Sequence, residues 1–230
     1  MTIAEQKYLR AIYQISSTSS MPSFGITDLA YYLDVKPPTV LERLKLLRKQ
    51  KLLSYTRKKG IVLTEAGHLA AMQLVRRHRI WETFLQKVCA FNWSEVHELA
   101  EQLQSIDSEK LIDRLFELSG KPEFDPHGDP IPNKSGRLPQ SARRALSKSV
   151  VGCICTVLGV NEDSVEFLDY LSNLKIGLQT TIRVEKIFPF DGSMQIKYNG
   201  KQRTTLSPKV AEQLMVSCST AHCGCKKSKI

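Results

Sequence analysis

Residues 26–64, ITDLAYYLDVKPPTVLERLKLLRKQKLLSYTRKKGIVLT, restrict the fold more than any other part of the chain. Thr27 is placed to cap a short helix over 28–34 whose Leu29, Ala30 and Leu33 turn inward. The VKPPT segment then opens a second helix, about 38–51, because proline is best tolerated in a first helical turn, where its missing N–H has no partner to lose. Val40, Leu44 and Leu47 recur at helical spacing and define its buried face, leaving Glu42, Arg43, Lys45 and Lys49 outside. LLSYTRKKGIVLT, residues 52–64, reads as two strands turning at Lys58–Gly60. Upstream, Ile3, Leu9, Ile12, Tyr13 and Ile15 place another helix over 2–17.

A short helix, a tight turn, a second helix and a basic hairpin describe a winged helix-turn-helix. The charge agrees with that reading. Between residues 36 and 59 there are nine Lys or Arg against one Glu, whereas a face charged only for solubility usually mixes both signs. Across the 230 residues the formal charge is +10, distributed as +9 over 1–93, −5 over 94–140 and +6 over 141–230. Such a head suits a polyanion, nucleic acid above all, with an acidic protein as the competing partner. Lys36, Pro38, Thr39, Glu42 and Arg43 lie on the expected reading face for the DNA major groove, and Arg57, Lys58 and Lys59 at the wing tip, within reach of phosphates. No apolar run approaches membrane-spanning length and no signal-peptide pattern opens the chain, so the expected setting is cytoplasmic, without membrane.

Thr64 caps a long helix over about 65–91, followed by helices over about 94–104 and 108–118. Three apolar helices behind such a head suggest a homodimer whose paired heads read paired half-sites. Residues 119–145 are rich in Pro and Gly and read as a linker with some fixed turns. From Lys148 onward, short apolar or alternating runs separated by turn residues indicate a small β-barrel of about 75 residues. The fold class is therefore α+β, with units at 1–64, 65–140 and 141–217 and a basic, cysteine-containing tail at 218–230. No nucleophile–base pair, phosphate loop or paired catalytic carboxylates emerge, and an enzyme is not expected.

Several segments together resemble the iron-dependent repressor family, typified by the diphtheria toxin repressor and the manganese transport regulators. They are YLRAIYQI, DLAYYLDVKPPTVLERLKLL, LVRRHRIWETFL and, most strongly, LIDRLFELSGKPEFDPHGDPIP. GLQTTIRVEKIFPFDGSMQIKYNGKQRTTLSP is similar to the SH3-like, iron-uptake-associated domain that many members append. The resemblance covers residues 1–217 and implies operator binding switched by Fe(II) or Mn(II). It implies an ancillary metal site at His78, Glu82 and His97, imidazole and carboxylate groups suited to either ion, completed by barrel carboxylates near Glu162, Asp163 and Glu166.

The family's primary site matches poorly. Its first-helix ligand falls on Lys7, its Cys or Glu ligand on Glu101, and its Glu-His pair on Gln104 and Ser105. A protonated lysine cannot ligate. A Lys7–Glu101 ion pair in place of the metal is one reading; Lys7 turned to solvent, with the site lost, is the other.

Cys153, Cys155, Cys218, Cys223 and Cys225 bracket the barrel, with His222 nearby. They are candidates for an iron–sulfur cluster or a zinc, for redox-active thiols, or, in the case of Cys153 and Cys155, for small core residues. Cys89, His68 and His127 read as structural. The functional expectation is an iron-responsive, DNA-binding regulator of metal or iron–sulfur homeostasis genes. A thiol-redox regulator and a metal- or cluster-binding adaptor with vestigial DNA binding are the alternatives.

Overall fold

The computed structural model describes residues 1–18, 24–56, 58–140, 143–162 and 164–218, the last by its backbone. Arg57, Asp163, His222, Cys223 and Cys225 lie outside the described residues. The chain divides into two compact units: Met1–Trp81 with Leu99–Lys121 and Ile131–Pro139, and Glu82–Glu98 with Pro122–Pro130 and Gln140–Ile230.

The first unit begins with α1 (Ile3–Thr18), α2 (Ile26–Tyr32) and α3 (Pro37–Lys49), then the hairpin of β1 (Leu53–Thr56) and β2 (Gly60–Leu63). Their inward faces meet in one core that includes Ile12, Leu29, Val40, Leu44, Leu47 and Ile61. This is the winged helix-turn-helix that the apolar spacing predicts. Helix α2 starts earlier than expected: Gly25, not Thr27, precedes its first turn, and Asp28 Oδ2 accepts from the Gly25 N–H at 2.7 Å. The wing is fastened to the core at Gly60. Its φ is +68°, a Cβ there would fall 2.4 Å from the Phe24 carbonyl oxygen, and the next residue, Ile61, donates its N–H to that oxygen at 3.0 Å.

Thr64 caps α4 (Glu65–Lys87) as predicted, its Oγ1 accepting from the Gly67 N–H at 3.0 Å. The helix stops at Lys87 rather than 91, and Ala90 takes a left-handed φ of +60° just beyond it. After α4 come α5 (Val96–Leu103) and α6 (Glu109–Leu118), with Ser108 Oγ capping α6. The division between units passes through α4 after Trp81 and through α5 after Glu98.

In the second unit a six-stranded antiparallel sheet has the order β3-β8-β4-β5-β6-β7. The strands are β3 (Arg144–Ala145), β4 (Ile154–Val160), β5 (Thr181–Ile187), β6 (Met194–Tyr198), β7 (Gln202–Leu206) and β8 (Leu214–Cys218). Helix α7 (Val165–Asn173) joins β4 to β5, and α8 (Pro208–Gln213) precedes β8. Alternate strand residues, including Val157, Ile182, Val184, Ile196 and Val216, fill its core.

The segment expected to be a linker is instead packed structure. Pro122, Asp125, Pro126, His127 and Gly128 are buried in the second unit, and Ile131 and Pro132 in the first. Val160 donates its N–H to the His127 carbonyl at 2.8 Å, which sets this loop along β4. Among the described residues no helix is long and apolar enough to cross a membrane.

Candidate functional site

Within the second unit, Glu82 near the end of α4 meets Asp125 and His127 from the loop. Each offers one ligand atom, and these atoms lie within 4.8 Å of one another. All three residues are buried, at 2%, 3% and 5% exposure. Burying two carboxylates together is costly unless positive charge or hydrogen bonds compensate. Part of the compensation is visible: Asp125 Oδ1 accepts from the backbone N–H groups of His127 and Asp129, both at 2.9 Å.

The orientation of His127 is informative. Its Nε2 lies 3.0 Å from the Trp93 carbonyl, an acceptor, so Nε2 carries the hydrogen. Its ring stacks on the Trp93 indole at 6.3 Å between centroids. Nδ1 then turns its lone pair toward Glu82 Oε1, 3.8 Å away. An imidazole held by its other nitrogen on a backbone carbonyl, with its lone pair facing carboxylates, is the arrangement of a metal-binding histidine. His97 joins the same cluster, its Nδ1 donating to Glu82 Oε1 at 3.0 Å. Two carboxylates and imidazoles suit Mn(II), Fe(II) or Zn(II).

Of the expected ancillary set, Glu82 and His97 thus come together, and Asp125 and His127 join them. Asp125 had no sequence signal, and His127, read as scaffold, turns out to be a candidate ligand. Glu162 accepts instead from the Ser164 N–H at 3.1 Å, and Glu166 is exposed in the first turn of α7.

His78 lies in the first unit. Arg10 Nη1 donates to His78 Nδ1 and to Gln104 Oε1, both at 2.8 Å, and Arg10 Nη2 pairs with Glu101. Burial pushes the Glu101 carboxyl up, but the charge and hydrogen bonds of Arg10 outweigh it and hold it below its ordinary value. Of the two readings of Lys7, its side chain is exposed rather than paired with Glu101, and arginine one turn further along α1 makes the pair.

Of the described cysteines, Cys89 is exposed, whereas Cys153 and Cys155 are buried in the barrel. Cys155 is fully buried in the barrel core, with Sγ 3.5 Å from Ser149 Oγ, and Cys153 nearby is 2% exposed. Of Cys218 only the β8 backbone is described, where it pairs with Cys155.

Among the DNA-facing candidates, Lys36, Pro38, Thr39 and Glu42 are exposed at the start of α3, and Arg43 is half-buried. Lys58 and Lys59 are exposed at the wing turn, where Thr56 Oγ1 accepts from the Lys59 N–H at 3.1 Å. The sequence reading missed Tyr31, 91% exposed on α2, an aromatic that solvent exposure alone does not favour.

A winged helix-turn-helix, a buried carboxylate–imidazole cluster and an SH3-like sheet define a class of metal-dependent regulator fold. Residues 1–61 match the N-terminal DNA binding domain of the iron dependent repressors, 64–133 their metal binding and dimerisation domain, and 144–218 the FeoA domain. The chain is 32% identical over 127 residues to the iron-dependent repressor IdeR of Mycobacterium tuberculosis, covering 55% of this chain and 54% of that protein. It thus spans about half the length of the curated relatives it matches. The solved structure of a manganese-dependent transcriptional repressor in complex with manganese is 30% identical, covering 93% of this chain and 99% of that one with a TM-score of 0.82. That of the manganese regulator SloR is 26% identical, covering 95% and 100% with a TM-score of 0.72. The chain belongs to the iron-dependent repressor family.

Proposed function

We propose that this protein is a transcriptional repressor that binds operator DNA as a homodimer in the cytoplasm when Mn(II) or Fe(II) occupies Glu82, Asp125 and His127, with His97 beside them. The observation that carries this reading is the buried convergence of two carboxylates and an imidazole lone pair within 4.8 Å. A bound divalent cation would supply positive charge that lets these groups remain together. Without it, Glu82 and Asp125 repel one another and the His127 lone pair, so the loop at 122–130 loses its reason to stay against α4. Occupancy in this way biases the equilibrium between conformers.

The DNA contacts fall to the head. Thr39 and Glu42 on α3 face base edges, Lys36 and Arg43 reach bases or phosphates, and Pro38 sets the helix entry. Arg57, Lys58 and Lys59 follow the backbone. A dimer presents two such heads to half-sites about 34–36 Å apart, successive turns of one groove face.

The test is selection from a random duplex pool by the full chain, with Mn(II) and with chelator. Enrichment of a two-fold symmetric sequence in Mn(II) alone, lost in Glu82→Gln, is the expected result. Equal enrichment in chelator, or none in either Mn(II) or Fe(II), would refute the reading.

A further inference from the structure

We infer that Arg10 is a resident cation that takes the place of a divalent metal in the first unit, tying α1 to α4 and α5 at every metal concentration. Three acceptors, from α4, α5 and the turn that follows α5, converge on one guanidinium. His78 Nδ1 and Gln104 Oε1 each sit 2.8 Å from Nη1, and Glu101 pairs with Nη2. Arg10, His78 and Gln104 are buried, at 9%, 6% and 8% exposure.

The acceptors are arranged for this donor. Arginine has N–H donors and no acceptor, so His78 must present Nδ1 as a lone pair and keep its hydrogen on Nε2. The Gln104 side chain is oriented from its other end: Nε2 donates to the Glu101 carbonyl at 3.1 Å, which turns Oε1 toward Arg10. The guanidinium fork therefore finds a carboxylate, an amide oxygen and an imidazole nitrogen in hydrogen-bonding position.

Glu101 on α5 and Gln104 in the turn after it stand where the family resemblance places primary metal ligands, and with Arg10 seated among them the residues present do not fit a metal. The Glu101 carboxylate and the His78 lone pair are engaged by a permanent positive charge, and a divalent ion beside it would meet direct repulsion. Lys7, at the first-helix ligand position, adds a second cation rather than a donor atom.

The physical consequence is a change in what the tie responds to. A bound metal stabilises by mass action, in proportion to its free concentration over its dissociation constant. A side chain in the same place is present at unit occupancy always. The α1–α4–α5 junction is then locked whether or not metal is available, and metal sensing passes to the Glu82 cluster. That role of the Glu82 cluster rests on the function proposed above, whereas the Arg10 tie does not.

The test is Mn(II) binding to the full chain, followed by the paramagnetic resonance of free Mn(II), for wild type, Glu101→Gln and Glu82→Gln. Glu101→Gln is expected to bind the same number of Mn(II) ions per chain as wild type. One ion fewer in Glu101→Gln would overturn the inference. Loss of an ion in Glu82→Gln tests the separate proposal for that site, so the two can fail independently. Melting in excess chelator supplies a second readout. Arg10→Met is expected to melt at least about 5 °C below wild type, with no recovery when Mn(II) is added. Arg10→Met melting with wild type in chelator would overturn the tie.

Discussion

Gly128 and Gly159 lie backbone against backbone: a Cβ built on Gly128 would fall 2.3 Å from the Gly159 Cα and 1.9 Å from the Leu158 carbonyl oxygen. The reverse substitution is no easier, since a Cβ on Gly159 would meet the His127 carbonyl at 2.5 Å. Gly128 also holds a φ of +84°, which side-chain-bearing residues rarely adopt. This contact is how the barrel positions the candidate ligands, because the residue before Gly128 is His127 and its carbonyl accepts from the Val160 N–H at 2.8 Å.

Gly159→Ala should therefore act at a distance from any ligand atom. The expected outcome is destabilisation of about 2–4 kcal/mol by overpacking and backbone displacement, together with at least a tenfold weaker Mn(II) affinity. Calorimetry for stability and titration for metal measure the two effects. A variant that melts lower while binding Mn(II) as wild type does would uncouple the glycine contact from the site.

Much of the fold was legible because it rests on periodicity. Val40, Leu44 and Leu47 fixed the buried face of α3, and alternating residues such as Ile182 and Val184 revealed the strands. What escaped has no period. Asp125 and His127 sit in a proline- and glycine-rich segment held by an Asx-type turn and glycine contact, so composition suggested a linker where the structure has a buried loop. Arg10 lies between buried Leu9 and Ala11, and nothing local announces that its charge meets acceptors 68 to 94 residues away. The family's first-helix ligand position falls on Lys7, whereas the cation that meets these acceptors comes from the next turn of the same helix.

The Arg10–Glu101 pair makes stability depend on acid. The folded Glu101 carboxyl lies below its ordinary value of 4.5, so the folded state releases this proton more readily than the unfolded chain does. Its contribution is present in full above pH 4.5 and is lost as pH falls through the depressed folded value. Wild type should lose stability more steeply than Glu101→Gln over that acidic interval, with parallel behaviour near neutral pH. Chemical denaturation at a series of pH values measures the difference; identical profiles would show that the pair contributes nothing to the acid response.

Chelation should be felt at the other cluster. A ligand at 100 times its dissociation constant stabilises the folded state by about 2.7 kcal/mol, equivalent to roughly 5–10 °C in a chain of this size. Wild type in Mn(II) should melt higher than in chelator by that order, and Glu82→Gln and His127→Ala should show no such difference. A shift retained in both variants would place the cation elsewhere.

Salt dependence separates phosphate contacts from base contacts on the head. Lys58 and Lys59 stand exposed at the wing turn, whereas Thr39 and Glu42 stand on the exposed side of α3. Each lysine that neutralises a phosphate releases condensed counterion, so its loss lowers the slope of log affinity against log salt by about 1. Lys59→Ala should weaken binding to all duplexes alike and reduce that slope. Thr39→Ala should keep the slope and narrow the gap between selected and random sequence by about 1–3 kcal/mol. Fluorescence anisotropy across a salt series with both duplexes makes the comparison. If Lys59→Ala left the slope unchanged, the wing would not be tracking the backbone, and the positive charge of residues 36–59 would need another partner.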